Sequence, residues 1–356
     1  MMIGMDRRHM ILGIGACAGA VALAGPAPAF GRGDPVAPFR TPYKYPRLVL
    51  AASGTKGRFD ERSVDCPFVF SANGRFYMSY VGWDGTGYQT GLAESRDLLN
   101  WTRTALILPR DPASPVTRFN IASASILREN GLTSPGRLIK VDGRYVCAWH
   151  AYPSAGYEEG PAVIGLAWSD DLIHWRREDP CLYPADGAAW ERGGLYKPYL
   201  VKHGDTYLMY YNAKTTGTPW HEQTGVAISR DLKNWTRHPG NPILKNGPAG
   251  SWDDRFASDP VVVEHDGRWA MFYFGLSSDR KARDLLAIGP TPLEFDKVPE
   301  ILVDTGRPGS VDDTYAHKPT VIYHDGALYH FYCAVAGKYP NETRGIALAR
   351  SRPWRS

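Results

Sequence analysis

Four side chains could do chemistry together if the fold brings them to one place: Asp65, Glu222, Asp259 and His317. A pair of carboxyl groups held on opposite sides of a bond is what glycoside hydrolysis needs. One protonates the leaving oxygen, and the other activates water or attacks the sugar. A third carboxylate nearby raises the pKa of the acid by like-charge repulsion. Asp65 as base, Glu222 as acid and Asp259 as modulator fit those roles. Glu222 stands in a Trp220-His221-Glu222-Gln223 cluster, and Glu191 and Glu159 are the alternatives for the acid. His317 can orient a carboxylate, bind a hydroxyl, ligate an axial metal or act as the acid itself. Lys197, Lys318 and Arg255 give an electropositive floor suited to an anionic or highly hydroxylated sugar. Trp83, Trp220 and Tyr196 offer rings to stack on sugar faces, and Glu191 adds a polar contact to the substrate-binding set.

An internal repeat must position these groups. Gly91 to Trp101 reads Gly-Leu-Ala-Glu-Ser-Arg-Asp-Leu-Leu-Asn-Trp, and Gly165 to Trp175 and Gly225 to Trp235 repeat it. A degraded copy runs from Leu285 to Phe295, and a truncated one begins at Gly345. The shared alanines are 93, 167, 227, 287 and 347, and the last three steps are 60 residues each. Upstream of each copy lies a β-rich run, a two-residue glycine turn and a second β-rich run. These are Pro67–Phe70 with Phe76–Tyr80, Arg137–Lys140 with Tyr145–Trp149, Pro198–Val201 with Tyr207–Tyr211, Pro260–Val263 with Trp269–Tyr273, and Pro319–Ile322 with Leu328–Tyr332. The pattern is a hairpin signature.

Five such units of four strands, without helical periodicity, predict an all-β fold: a five-bladed β-propeller with four antiparallel strands per blade. The fifth unit is too short for its outer strand. The β-rich run Pro46–Ala52 is expected to supply it and close the ring, so Arg47–Ala51 should be paired. In a propeller the residues just before each inner strand share one face. Here they are Asp65-Cys66, Ser134-Pro135, Tyr196-Lys197, Ser258-Asp259 and His317-Lys318. The recurrent Trp is expected to pack between blades.

Residues 1–29 read as an export signal. Arg7-Arg8 precede an apolar run from Met10 to Ala24, and Ala27-Pro28-Ala29 stand before Phe30. The paired arginines fit a twin-arginine signal, so the product is periplasmic or extracellular. Ile14-Gly15-Ala16-Cys17 is a weaker lipoprotein box. Residues 30–356 then form a single catalytic domain, with no transmembrane segment. Forty-one Lys+Arg against 37 Asp+Glu, without basic runs, argue against a nucleic-acid partner and leave a carbohydrate as the partner. Cys66, Cys147, Cys181 and Cys333 match no zinc spacing, and their pairing is not fixed by sequence.

The Asp-Leu-x-x-Trp repeats, the Asp-Gly hairpins, and the stretch from Ala316-His317-Lys318-Pro319 to Leu328-Tyr329-His330-Phe331-Tyr332-Cys333 resemble the five-bladed propeller glycosidases of glycoside hydrolase families 43, 32, 117 and 130. The resemblance implies an Asp base before the first inner strand, a place Asp65 matches. Family 43 implies a Glu acid where this chain has Tyr196-Lys197, and an Asp modulator where it has Ser134-Pro135, so Asp259 would stand in for the latter. Two aspartates with a blade-five histidine are more like family 117, which implies action on anhydro-sugar ends. The resemblance also implies a structural calcium on the axis, with no cofactor required for the reaction. The function expected is exported glycoside hydrolysis. A carbohydrate-binding propeller without catalysis, a phosphorylase of the same fold and a sugar lyase are the competing readings.

Overall fold

Asn and Asp followed by Gly make tight turns because both positions accept positive φ, the geometry that matches the twist of a hairpin. Asn73-Gly74, Asp142-Gly143, Asp266-Gly267 and Asp325-Gly326 all adopt it, with φ between 47° and 76°. A Cβ on Gly74, Gly143 or Gly267 would meet nothing within 4 Å, so glycine is needed there for its backbone and not for space.

The computed structural model describes residues 34–338 and 341–354; the segment 1–29, expected from sequence to be an export signal, lies outside them. The chain divides into two units, Met1–Ala37 and Pro38–Ser356. Of the first, the described residues hold a turn in which Asp34 Oδ1 accepts the Val36 N–H at 3.0 Å. Among the described residues, the second carries every strand. Among the described residues there is no α-helix, and none long and apolar enough to cross a membrane.

The strands form five successive antiparallel groups. The first is β2 (Ser63–Ala72), β3 (Arg75–Trp83), β4 (Tyr88–Ser95) and β5 (Thr102–Leu108). The second is β6 (Ala122–Ile126), β7 (Tyr145–Ala151), β8 (Val163–Ser169) and β9 (Arg176–Arg177). The third is β10 (Gly194–His203), β11 (Thr206–Lys214), β12 (Glu222–Ser229) and β13 (Thr236–Arg237). The fourth is β14 (Phe256–His265), β15 (Arg268–Leu276), β16 (Ala282–Thr291) and β17 (Glu294–Val303). The fifth is β18 (Tyr315–His324), β19 (Ala327–Ala336) and β20 (Thr343–Arg350), with β1 (Tyr43–Lys44) antiparallel to β20. Pairing continues beyond β1: the N–H groups of Tyr45 and Val49 donate to Leu348 O and Ile346 O, and Leu50 bridges Ile346. The N-terminal segment therefore lies along β20, starting a few residues earlier than Pro46. The first and fifth groups share one apolar cluster that includes Val69, Met78, Tyr80, Phe331, Ile346 and Leu348.

The Asp-Leu-x-x-Trp repeat is a turn held by its own side chains. Asp97 Oδ1 accepts the N–H groups of Leu99 and Asn100, Leu98 takes φ 65°, and Trp101 Nε1 donates to Leu98 O at 3.1 Å. The turns at Asp171 and Asp231 are built the same way. Trp101 meets Phe331 of the fifth group edge-on at 5.8 Å, a contact between neighbouring groups.

A second repeated device is not apparent from the repeats themselves. A buried acid before the inner strand accepts a Tyr hydroxyl from the second strand, 20 residues further on. This holds for Asp60 with Tyr80, Glu191 with Tyr211, Asp253 with Tyr273 and Asp312 with Tyr332. A base from the outer strand completes each tie: Arg103, Arg237, Lys297 and Lys44 respectively. Lys44 on β1 thus does for the fifth group what Arg103 on β5 does for the first. Asp312→Ala would strand the Tyr332 hydroxyl and leave the Lys44 ammonium only the Asp304 carbonyl. We expect it to cost about 1–3 kcal/mol in urea denaturation. A loss under about 0.5 kcal/mol, the range of an ordinary surface change, would contradict the tie.

The second group departs from expectation. Its inner strand is Ala122–Ile126, not Arg137–Lys140. Residues 127–144 are an excursion in which Leu138 bridges Arg128 and the Asp142-Gly143 turn joins only Val141 to Arg144. Ser134-Pro135 therefore does not occupy the pre-strand position. Ser134 O accepts the Tyr323 N–H near the far end of β18, away from His317. All four described cysteines are free.

Candidate active site

On four of the five inner strands the residue before a proline is forced into the left-handed region: Cys66 (φ 50°), Lys197 (φ 50°), Asp259 (φ 56°) and Lys318 (φ 63°). That conformation is uncommon for residues with a side chain, and it is held only where the surroundings over-determine it. At each place the pairing with the second strand slips, between Asp65 and Phe68, Tyr196 and Tyr199, Ser258 and Val261, and His317 and Thr320. Such bulges re-aim side chains. Here they turn Asp65-Cys66, Tyr196-Lys197 and His317-Lys318, together with Asp259, into one cavity of about 150 Å³.

Asp65, Glu222, Asp259, His317, Lys197, Lys318 and Tyr196 all line this cavity. Trp220 lies behind it. Its Nε1 donates to Glu222 Oε1 at 2.9 Å, and its ring stacks on Phe256. Arg255 donates to Trp220 O at 3.3 Å and does not reach the cavity, nor does Trp83, which packs on Tyr88 and Tyr157. Glu191 does not line it either. Its carboxylate is consumed by Tyr211 at 2.8 Å and Arg237 at 2.6 Å.

Asp65 is fully engaged. Oδ1 accepts the Cys66 N–H at 2.7 Å, and Oδ2 accepts Lys318 Nζ and Arg344 Nη1, each at 2.9 Å. Burial pushes this carboxyl up, but Lys318 and Arg344, with His317, outweigh it and hold it well below the usual carboxylate range. Arg344, from β20, also lies over the Tyr157 ring at 5.4 Å. Asp259 is tied to Asn212, whose Nδ2 donates to Oδ1 and whose Oδ1 accepts the Asp259 N–H. Its Oδ2 has Lys197 Nζ at 3.7 Å and no hydrogen bond. Burial raises Asp259, against the pull of Lys197 and Lys318. Burial, with Asp65 adding to it, pushes the Cys66 thiol up to about 12, so it is protonated at neutral pH.

Glu222 has the opposite character to Asp65. It is buried, Oε1 accepts Trp220 Nε1, and Oε2 accepts Ser258 Oγ at 2.9 Å. Burial and then the charge of Glu158 raise it to about 7. The buried Tyr196 hydroxyl approaches it without good hydrogen-bond geometry. Glu158 comes from the loop between β7 and β8, has φ 60°, and has its side chain about one-third exposed (32%). Its Oε1 is 3.9 Å from Lys318 Nζ. Glu159, its neighbour, is exposed and does not line the cavity.

Glu158, Arg344, His150, Tyr152 and Tyr88 line the cavity and are not singled out by sequence. Nothing in Tyr157-Glu158-Glu159-Gly160 distinguishes the two glutamates. Arg344 lies one residue before the Gly345 repeat, and His150 directly follows the strand run ending at Trp149.

An axial calcium does not fit the residues present. Such an ion takes six to eight oxygen ligands. Where the inner strands converge, the buried Arg128 guanidinium instead donates to Val69 O and Val321 O and lies over the Phe68 ring at 4.8 Å. Among the described residues no three His, Cys, Asp or Glu side chains are grouped to hold a metal.

The glycosyl hydrolases family 32 N-terminal domain matches residues 127–286. A solved structure described as a glycoside hydrolase is 29% identical, with TM-score 0.76 over 89% of this chain and 94% of its own. Another, a complex of BT0996 with RGII, is also 29% identical, with TM-score 0.77 over the same shares. The 1,2-beta-oligomannan phosphorylase of Thermoanaerobacter sp. (strain X514) is 27% identical over 43% of each chain. The chain is similar, in sequence and in fold, to propeller glycoside hydrolases.

Proposed function

We propose that this protein hydrolyses a glycosidic bond in a poly- or oligosaccharide, with Glu222 as general acid and Glu158 as the second carboxylate. The observation that carries the reading is the state of Glu222. It is fixed by two donors, buried, and raised to about 7, where a carboxylic acid keeps a proton to give at neutral pH. Its proton goes to the glycosidic oxygen as the bond from that oxygen to the anomeric carbon breaks, while water adds its oxygen to that carbon and gives its proton to Glu158. Glu158 is partly exposed at the cavity and is the acid whose charge Glu222 feels. Asp65 suits the base role less well, because fixed donors already occupy both its oxygens. It serves instead to hold Lys318 and Arg344 in place.

A cavity of about 150 Å³ holds on the order of ten waters. That is room for one sugar ring with its hydroxyls, and we read the enzyme as exo-acting. Five blades closed into a ring by Tyr43–Leu50 supply the walls, and residues 1–29 export the enzyme. The similar structure solved as an RGII complex makes RGII the first ligand to test.

The acid role sets the pH dependence. Glu222 must be protonated, so kcat should fall as pH rises through about 7. Glu158→Gln removes the like charge, so the Glu222 carboxyl should lose its proton at lower pH. Because the variant also lacks the second carboxylate, the shift is read by 13C NMR of the labelled Glu222 carboxyl rather than by turnover. An unmoved titration would remove the coupling.

Phosphate in place of water is the second reading. It is favoured by the oligomannan phosphorylase relative and by Lys197, whose ammonium makes no hydrogen bond and has only the Asp259 pair at 3.7 Å. Turnover that requires added phosphate would establish it.

A further inference from the structure

Two histidines line the cavity, and the hydrogen bond each one makes fixes where its proton sits. His317 Nδ1 is 3.0 Å from the carbonyl oxygen of Cys333. A carbonyl can only accept, so Nδ1 carries the hydrogen and Nε2 is left as a bare lone pair. His150 is the reverse. Its Nδ1 accepts the backbone N–H of Lys197 at 3.4 Å, so Nδ1 is the lone pair and Nε2 carries the hydrogen. Neither Nε2 has a hydrogen-bond partner among the described residues, and both rings line the cavity.

The rings are well held. His317 sits edge-on to Phe274 at 5.2 Å and beside Tyr315 at 5.4 Å. His150 packs against Tyr152 and Tyr196 at 5.7 and 6.2 Å. Both are nearly buried, at 5% exposure each. Burial, with Lys318 beside one and Lys197 beside the other, keeps both neutral at pH 7. A neutral imidazole in a fixed tautomer is a polar group of one sign, and a buried one rejects a ligand that cannot match it.

We infer that the cavity reads the hydroxyl pattern of a neutral sugar through His317 and His150 locked in opposite tautomers, His317 Nε2 accepting from a ligand O–H and His150 Nε2–H donating to a ligand oxygen. This rests on the carbohydrate reading above and deepens it. A carboxylate, which has no hydrogen to give, is turned away by His317. A sugar lacking the hydroxyl that meets His317 is turned away too. As a lone-pair acceptor, His317 holds substrate and is not the acid.

The test is two-bond 1H–15N correlation spectroscopy of the 15N-histidine-labelled full chain at pH 7. The two residues are assigned by loss of their signals in His317→Gln and His150→Gln, with His317→Asn and His150→Asn as second variants where the first does not fold. The expected result is an Nδ1–H pattern for His317 and an Nε2–H pattern for His150. The same tautomer at both sites, or a cationic pattern at either, overturns the inference. Glycerol then serves as a neutral polyhydroxy probe and acetate as one that only accepts. Glycerol at saturation should shift Nε2 of both residues, and acetate that of His150 alone. A shift of His317 Nε2 by acetate, or of neither by glycerol, overturns it. A protein with both tautomers and both probe responses that hydrolyses no glycoside loses the catalytic reading and keeps this one.

Discussion

Glu222→Gln is expected to lower kcat on an unactivated glycan by about 10²- to 10⁴-fold, the usual worth of a positioned general acid. The substitution keeps the shape and leaves an amide oxygen to accept from Trp220 or Ser258, but it has no proton to release. The loss should shrink on an aryl glycoside whose leaving group departs without protonation. A structural role would not make that distinction. Stability gives a second check. The Glu222 carboxyl is raised from 4.5 to about 7 in the folded protein, so the folded state holds the extra proton between those values. The associated stability is fully present below about 4.5 and is lost as pH rises through about 7. Glu222→Gln escapes that loss and should be the more stable protein at pH 8. An inactive variant that is also less stable at pH 8 would point to a packing role.

Asp65→Asn is expected to damage the fold as well as the activity, by about 3–5 kcal/mol, the cost of leaving a buried charge without its partner. Its Oδ2 is the shared acceptor of two buried cations, Lys318 with its side chain 11% exposed and Arg344 with 8%. Removing the negative charge leaves Lys318 only the more distant Glu158 at 3.9 Å and Arg344 only Glu342 at 3.4 Å. Sequence alone suggests that Asp65→Asn leaves folding intact, because a pre-strand aspartate looks like a free catalytic group. The two cations that claim it come from the fifth group, more than 250 residues away. The held-down carboxyl contributes stability that is present above its unfolded value and is lost only as pH falls through its low folded value. Thermal unfolding of the purified variant at pH 7 measures the cost. An unchanged melting temperature would show that the cations find other partners.

The parts of this protein legible in its sequence are those fixed by local geometry. Asn-Gly and Asp-Gly turns, and an aspartate that caps its own turn before Trp101, Trp175 and Trp235, work over three or four residues and survive as repeats. The residues before each inner-strand proline are legible for the same reason. Ser134-Pro135 aside, all of them but Ser258 line the cavity: Asp65, Cys66, Tyr196, Lys197, Asp259, His317 and Lys318. The second group misleads because its excursion carries an Asp142-Gly143 turn with the right local chemistry. Its true inner strand, Ala-Ser-Ala-Ser-Ile, lacks the bulky residues that mark the others. Acids give the least information. Asp60, Asp253 and Asp312 look like surface carboxylates, and Glu191 like a candidate acid, until their Tyr partners are seen. The constant spacing of 20 residues between acid and Tyr is the available signal. The choice of Glu158 over Glu159 depends on which way one loop residue turns, and no residue type encodes that.

The central claim is tested most directly by incubating wild type and Glu222→Gln with aryl furanosides and pyranosides, RGII, and plant, algal and bacterial polysaccharides, with and without phosphate, and measuring the sugar released. The account predicts release of a single terminal sugar by wild type, independent of phosphate, and its loss on unactivated glycans in Glu222→Gln. Equal release by both proteins, or release only with phosphate, would contradict it.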